Sequence, residues 1–161
     1  MRKRSSYRPG NLNPTAHLMA MMGAACMSRA DVIKRGMNLA DAVEKTAKAT
    51  ATQDDWRFIF DCVNIVEQLA RMKIVVGLDV LESLQEQIVG IMDRQRETGT
   101  KALRAVELGS LRDFAADYTT VLRGVTQQQY MQAQRTVEDR IRRLLSSETI
   151  PASVRIVEAV A

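Results

Sequence analysis

Between Trp56 and Ala70 the apolar residues Trp56, Ile59, Phe60, Val63, Val66 and Ala70 recur at spacings of three and four. That period predicts an amphipathic α-helix with one buried stripe. Thr52, with Asp55 three residues on, supplies its N-terminal cap, and Val75-Val76-Gly77 breaks the pattern. The same period returns further along the chain. Leu81, Leu84, Ile88, Ile91 and Met92 predict a helix opened by Asp79 with Glu82 and closed at Gly99. Leu108, Leu111, Phe114, Ala115, Tyr118 and Leu122 predict another over roughly 104–123, closed by Gly124. Thr126 with Gln129 forms a capping box for a last helix, where Tyr130, Ala133, Val137, Ile141 and Leu144 share one face.

The first part of the chain is less regular. Asn13-Pro14 reads as an N-cap followed by proline at the first helical position, opening a helix over roughly 14–27. That helix is apolar almost all round, with Leu18, Met19, Met21, Met22 and Met27, so it belongs in a core or against a partner. Ser28 caps a helix over roughly 29–49, with Ile33, Met37, Ala40 and Ala47 as its inward stripe and Gly36 weakening its middle. The connections of two to five residues imply antiparallel neighbours. The fold expected is all-α: a single-domain, up-and-down bundle of five to six helices over 13–147. A flexible basic arm (1–12) precedes it and an apolar tail containing Pro151 (148–161) follows.

Composition agrees with a helical globule. The 161 residues are 46% apolar and 26% charged, with only 8 glycines and 3 prolines to interrupt helices. Charge changes the picture more. The formal +4 comes from Arg2, Lys3, Arg4 and Arg8, without which basic and acidic residues balance at 19 each. The protein is therefore a neutral body with a basic arm, not a basic globule. Cys26 and Cys62 lie among apolar neighbours and read as two buried, reduced thiols. Gly23-Ala24-Ala25-Cys26 loosely resembles a lipoprotein cleavage site. The prolines before it and the short apolar run argue against export, so a cytoplasmic protein that does not enter membranes is expected.

The residues for common chemistries are missing. His17 is the one histidine, which excludes histidine-based metal sites and leaves a catalytic triad only a helix-terminal candidate. No phosphate-binding glycine loop, nucleophile elbow or Glu-x-x-Glu pair occurs. Asp113 and Asp117 are the best carboxylate pair, at i and i+4, and sit at the solvent edge of their stripe. No enzyme activity, cofactor or metal is expected.

Two clusters suit contact with nucleic acid. Arg2, Lys3, Arg4, Tyr7 and Arg8 combine charge with one aromatic. Four phosphate contacts would lose roughly a hundredfold in affinity between about 50 and 200 mM salt, the behaviour of an auxiliary tether. Arg135, Arg140, Arg142 and Arg143 form the second cluster, with Glu138 and Asp139 among them. Val32 to Lys48 has the outline of a helix-turn-helix with Gly36 at the turn, yet Asp41 and Glu44 follow it where base-reading groups belong. The methionine-rich first helix is a candidate homodimer seam.

The order of pieces resembles a group of small uncharacterised proteins encoded by phages and prophages of Gram-negative bacteria. The stretches that carry the likeness are Met1-Arg2-Lys3-Arg4-Ser5-Ser6-Tyr7-Arg8-Pro9, Asp55-Trp56…Phe60-Asp61-Cys62-Val63-Asn64-Ile65-Val66-Glu67, and Arg94…Gly99…Leu103…Glu107-Leu108. Tyr118…Leu122 leading into Val125-Thr126…Tyr130…Ala133 adds to them. The resemblance implies a setting: a non-enzymatic accessory protein that binds a host protein or nucleoprotein complex stoichiometrically, as an anti-defence or anti-CRISPR-type inhibitor would. The alternatives are a nucleic-acid-associated phage protein, using the arm and the arginines of the last helix, and a phage structural component.

Overall fold

The computed structural model describes residues 25–146. They form five helices: α1 (Arg29–Ala47), α2 (Gln53–Arg71), α3 (Leu78–Thr98), α4 (Ala105–Arg123) and α5 (Gln127–Ser146). Among the described residues the only β-type pairing is a single bridge between Cys26 and Thr126. The basic arm, most of the expected first helix and the C-terminal tail lie outside the described residues. Residues 25–27, assigned above to that helix, are not helical. Backbone pairing explains it: the Ala25 carbonyl accepts the Gln127 N–H at 3.0 Å, which draws this stretch alongside the α4–α5 turn.

Local hydrogen bonds set most helix starts. Ser28 Oγ accepts the Asp31 N–H at 3.1 Å. The Asp55 N–H donates to Thr52 Oγ1 at 3.2 Å, and the Thr52 N–H returns a bond to Asp55 Oδ2 at 2.8 Å. Thr126 and Gln129 make the same reciprocal pair at 2.9 and 3.2 Å. α3 departs from expectation. It starts at Leu78 after Gly77, whose φ of 94° places it in the left-handed region. Asp79 therefore lies inside the first turn and caps nothing, because the tight α2–α3 connection needs the glycine backbone just before the helix. At the other end Gly99, with φ 69°, closes α3 as expected.

Helices α1 to α4 pack antiparallel in chain order, and α4 returns to α1. Glu44 pairs with Arg112 while Gly36 lies against Thr119. Gln85 reaches Asn64 and Arg71 reaches Glu82. Arg94 pairs with Glu107. α5 does not continue the alternation. Tyr130 stacks under Arg35 of α1, and ten residues later Arg140 reaches Glu67 of α2, so α5 lies obliquely across the α1–α2 side.

The α2 stripe is buried as its period predicts, including Trp56, Ile59, Val63 and Val66, with Phe60 half-buried. α1 is turned the other way. Its core face is Val32, Gly36, Leu39, Val43 and Thr46, whereas Ile33 and Met37 are 42% and 67% exposed and Ala40 faces out too. The reason is steric. A Cβ at Gly36 would overlap the methyl Cγ2 of Thr119, so only glycine lets α1 and α4 approach here. Gly36 makes no turn either: α1 is continuous through it, which removes the helix-turn-helix outline. Cys62 is buried, but Cys26 is exposed.

Candidate functional site

α2 carries polar groups on its buried face. Asn64 and Glu67 sit among Val63, Ile65, Val66 and Leu69, and the Glu67 side chain is only 4% exposed. A carboxylate so placed needs partners, and three helices supply them. Oε1 accepts Arg71 Nε at 2.7 Å; Oε2 accepts Gln85 Nε2 and Arg140 Nη2, each at 3.0 Å. The same Gln85 amide donates to Asn64 Oδ1 at 3.0 Å. Burial pushes the Glu67 pKa up, but the bonds from Arg140, Arg71 and Gln85 outweigh it and hold it below the ordinary value. Glu67 is thus an ionised tie between α2, α3 and α5.

A second polar group lies nearer the middle of the bundle. Arg35 Nη1 donates to the Tyr130 hydroxyl at 2.9 Å, and its guanidinium carbon lies 4.6 Å from the ring centroid. Next to Tyr130 are Cys62 and Tyr118, whose hydroxyl is buried against both. Burial raises both tyrosines and pushes the Cys62 thiol up to about 11. Cys62 is therefore protonated and a weak nucleophile at neutral pH. Asp61, Cys62, Tyr130, Gln134 and Glu138 border a cavity of about 190 Å³ between α2 and α5. Asp61 there is raised, first by burial and further by Glu138, with Arg57 opposing.

The residues expected to make contacts are spread apart. Arg2, Lys3, Arg4, Tyr7 and Arg8 lie outside the described residues. On α5, Arg140 is held by Glu67, Arg142 pairs with Asp139 at 3.3 Å, and Arg135 and Arg143 are exposed. Sequence reasoning missed the Glu67 tie. The signal available was a Glu one turn beyond Val63 on the most amphipathic of the described helices, at a position that its period buries. Asp113 and Asp117 are exposed, as the α4 pattern predicts, and among the described residues no three His, Cys, Asp or Glu side chains come together.

Among the described residues, two groupings of apolar side chains reach the surface in α1 and between α3 and α4. On α1, Ile33, Met37 and Ala40 form an outward stripe. Between α3 and α4 lies a cleft of about 350 Å³, its floor Val66 and Leu84, its walls Val76, Val80, Phe114 and Val121. The two helices are tied at one end by Arg94, whose Nη2 donates to Glu107 Oε2 at 2.7 Å, and the cleft lies towards the other.

No helix among the described residues is long and apolar enough to cross a membrane. Compared with known proteins, the chain matches no protein-family model, and no curated sequence or solved structure is significantly similar to it.

Proposed function

We propose that this protein is a non-enzymatic accessory protein of phage type that binds a host macromolecular complex stoichiometrically and occludes it, as an anti-defence inhibitor does. The observation that carries the reading is the outward stripe of α1. Ile33 and Met37 stand in solvent on a helix whose opposite face already fills the core. Methionine beside a branched aliphatic, one helical turn apart, makes an adaptable apolar contact for another protein. The polar groups with unusual environments support the same view. Glu67 is saturated by three donors and Cys62 is held as a thiol, so both serve the fold.

The alternative, a nucleic-acid-associated protein using the arm and α5, is weakened by Arg140. A guanidinium bonded to a buried carboxylate gives up one of that group's three donors if it turns to phosphate. Purification from host lysate with nuclease treatment separates the readings. The inhibitor reading expects a stoichiometric partner that resists nuclease, remains when residues 1–9 are deleted, and is lost in Met37→Glu. Partners that vanish with nuclease or with the arm favour the nucleic-acid reading. Self-association, or the protein in purified virions, favours an assembly component.

A further inference from the structure

The α3–α4 cleft is an apolar slot. Val76 is 96% exposed and Val80 67%, while Phe114 and Val121 are half-buried. Leaving such a surface in water is unfavourable, and a patch of this kind is normally covered. α4 meets α1 through Thr119 and Arg112, so the slot is a surface separate from the α1 stripe.

Charge around the slot is of one sign. Asp113 and Asp117, at i and i+4 on α4, are the charged side chains of its lining, and Lys73 and Arg123 fall outside it. Residues 76–93 hold Asp79, Glu82, Glu86 and Asp93 with no lysine or arginine. Residues 105–122 hold one base, Arg112, which Glu44 of α1 takes at 2.8 Å. Of the acids, Glu82 pairs with Arg71, Asp93 with Arg96 and Glu107 with Arg94. Asp79, Glu86, Asp113 and Asp117 have no ion-pair partner among the described residues. The slot is therefore apolar inside and acidic around it, on a body that is neutral as a whole.

We propose that the α3–α4 slot takes an amphipathic, basic helix of a partner protein. The apolar side chains of that helix, one turn apart, sit on Val80, Leu84 and Phe114, and its flanking lysines or arginines meet Asp113 and Asp117. The α4 wall from Ser110 to Val121 is about 16 Å long by helical rise, room for three turns laid alongside it. Two bases four residues apart on such a helix repeat the spacing of the two aspartates. The charge also decides against other occupants. A second copy seated by the same face would set Asp113 and Asp117 against their own counterparts, and a phosphate backbone is repelled by four unpaired carboxylates. Nothing here depends on Ile33 and Met37, so this surface and the α1 stripe stand or fall separately.

The test uses the full chain and a fluorescein-labelled peptide of about twelve residues, with leucine at helical spacing and lysine elsewhere. Fluorescence anisotropy is expected to show saturable binding that weakens with added salt. The double variant Asp113→Lys, Asp117→Lys and the single variant Val80→Glu should each bind about tenfold more weakly. Met131→Glu, on α5, should bind as wild type does. All these positions are exposed, and circular dichroism verifies that the variants keep the fold. The same peptide with glutamate for lysine should not bind. A photo-crosslinking side chain at Val80 should capture the lysine peptide. Wild-type affinity in the Asp113→Lys, Asp117→Lys variant would overturn the proposal, as would equal binding of the glutamate peptide. A Val80 cross-link to a second copy or to another part of this chain, undiminished by the peptide, would overturn it in favour of that occupant.

Discussion

The Arg140 guanidinium on α5 meets the buried Glu67 carboxylate of α2 at 3.0 Å, across 73 positions of sequence. This contact ties the oblique fifth helix to α2 and, through the Gln85 amide on the same carboxylate, to α3. It also sets how the arginine cluster of α5 divides, with Arg140 turned inward and Arg135 and Arg143 left in solvent.

Glu67→Ala is expected to destabilise the fold by about 3 kcal/mol, since it takes from Arg140, Arg71 and Gln85 the carboxylate they share. Arg140→Ala should cost less, roughly 1–2 kcal/mol, because Arg71 and Gln85 still hold the carboxylate. Arg143→Ala should fall within about 0.5 kcal/mol of wild type. Urea unfolding followed by circular dichroism measures all three. Equal values for Arg140 and Arg143 would refute a structural role for the tie.

Gly36→Ala should destabilise by about 1–3 kcal/mol despite alanine's better helix propensity, because its methyl meets Thr119 Cγ2. Thr119→Ser, which deletes that methyl, is expected to recover most of the loss in the double variant. Gly90→Ala, on α3 with open space around its Cβ position, should instead stabilise by up to about 1 kcal/mol. Thermal melts of the four proteins give the comparison.

The Asp55 carboxyl is held at about 2, below its ordinary 3.8, chiefly by the backbone N–H and hydroxyl of Thr52, with Lys45 adding to it. A folded pKa depressed in this way contributes stability that is complete above about pH 4 and is lost as pH falls towards 2. Glu67, also depressed, adds to the same acid-side loss. Melting temperature should therefore drop on going from pH 5 to pH 2. The drop should be shallower in Asp55→Asn, which has no charge to lose. Parallel curves for the two proteins would contradict the assignment.

The two cysteines should separate by reactivity. At pH 8 a thiol reagent is expected to modify exposed Cys26 rapidly and to leave Cys62 untouched, its thiol being buried and raised to about 11. Denaturant should release the second equivalent. Rapid modification of Cys62 in the Cys26→Ser variant under native conditions would show that the α2–α5 cavity opens readily.

The sequence by itself determined where helices begin and end, wherever the signal is a bond three or four residues long. Ser28 with Asp31, Thr52 with Asp55, Thr126 with Gln129 and the left-handed Gly99 are all legible because both partners lie in the same turn. It also determined the buried faces of α2, α4 and α5, each with one apolar stripe. α1 carries two, Val32–Gly36–Leu39–Val43 and Ile33–Met37–Ala40, and periodicity cannot rank them. Only the tertiary structure decided between them, through the approach of Gly36 to Thr119, a contact between residues 83 positions apart. The same holds for the candidate sites: that Glu67 is an internal tie, that Arg140 is spent on it and that the α3–α4 seam stays open all depend on long-range fit. Such fit is set by side-chain volume and by the cost of burying charge, neither of which has a local period to read.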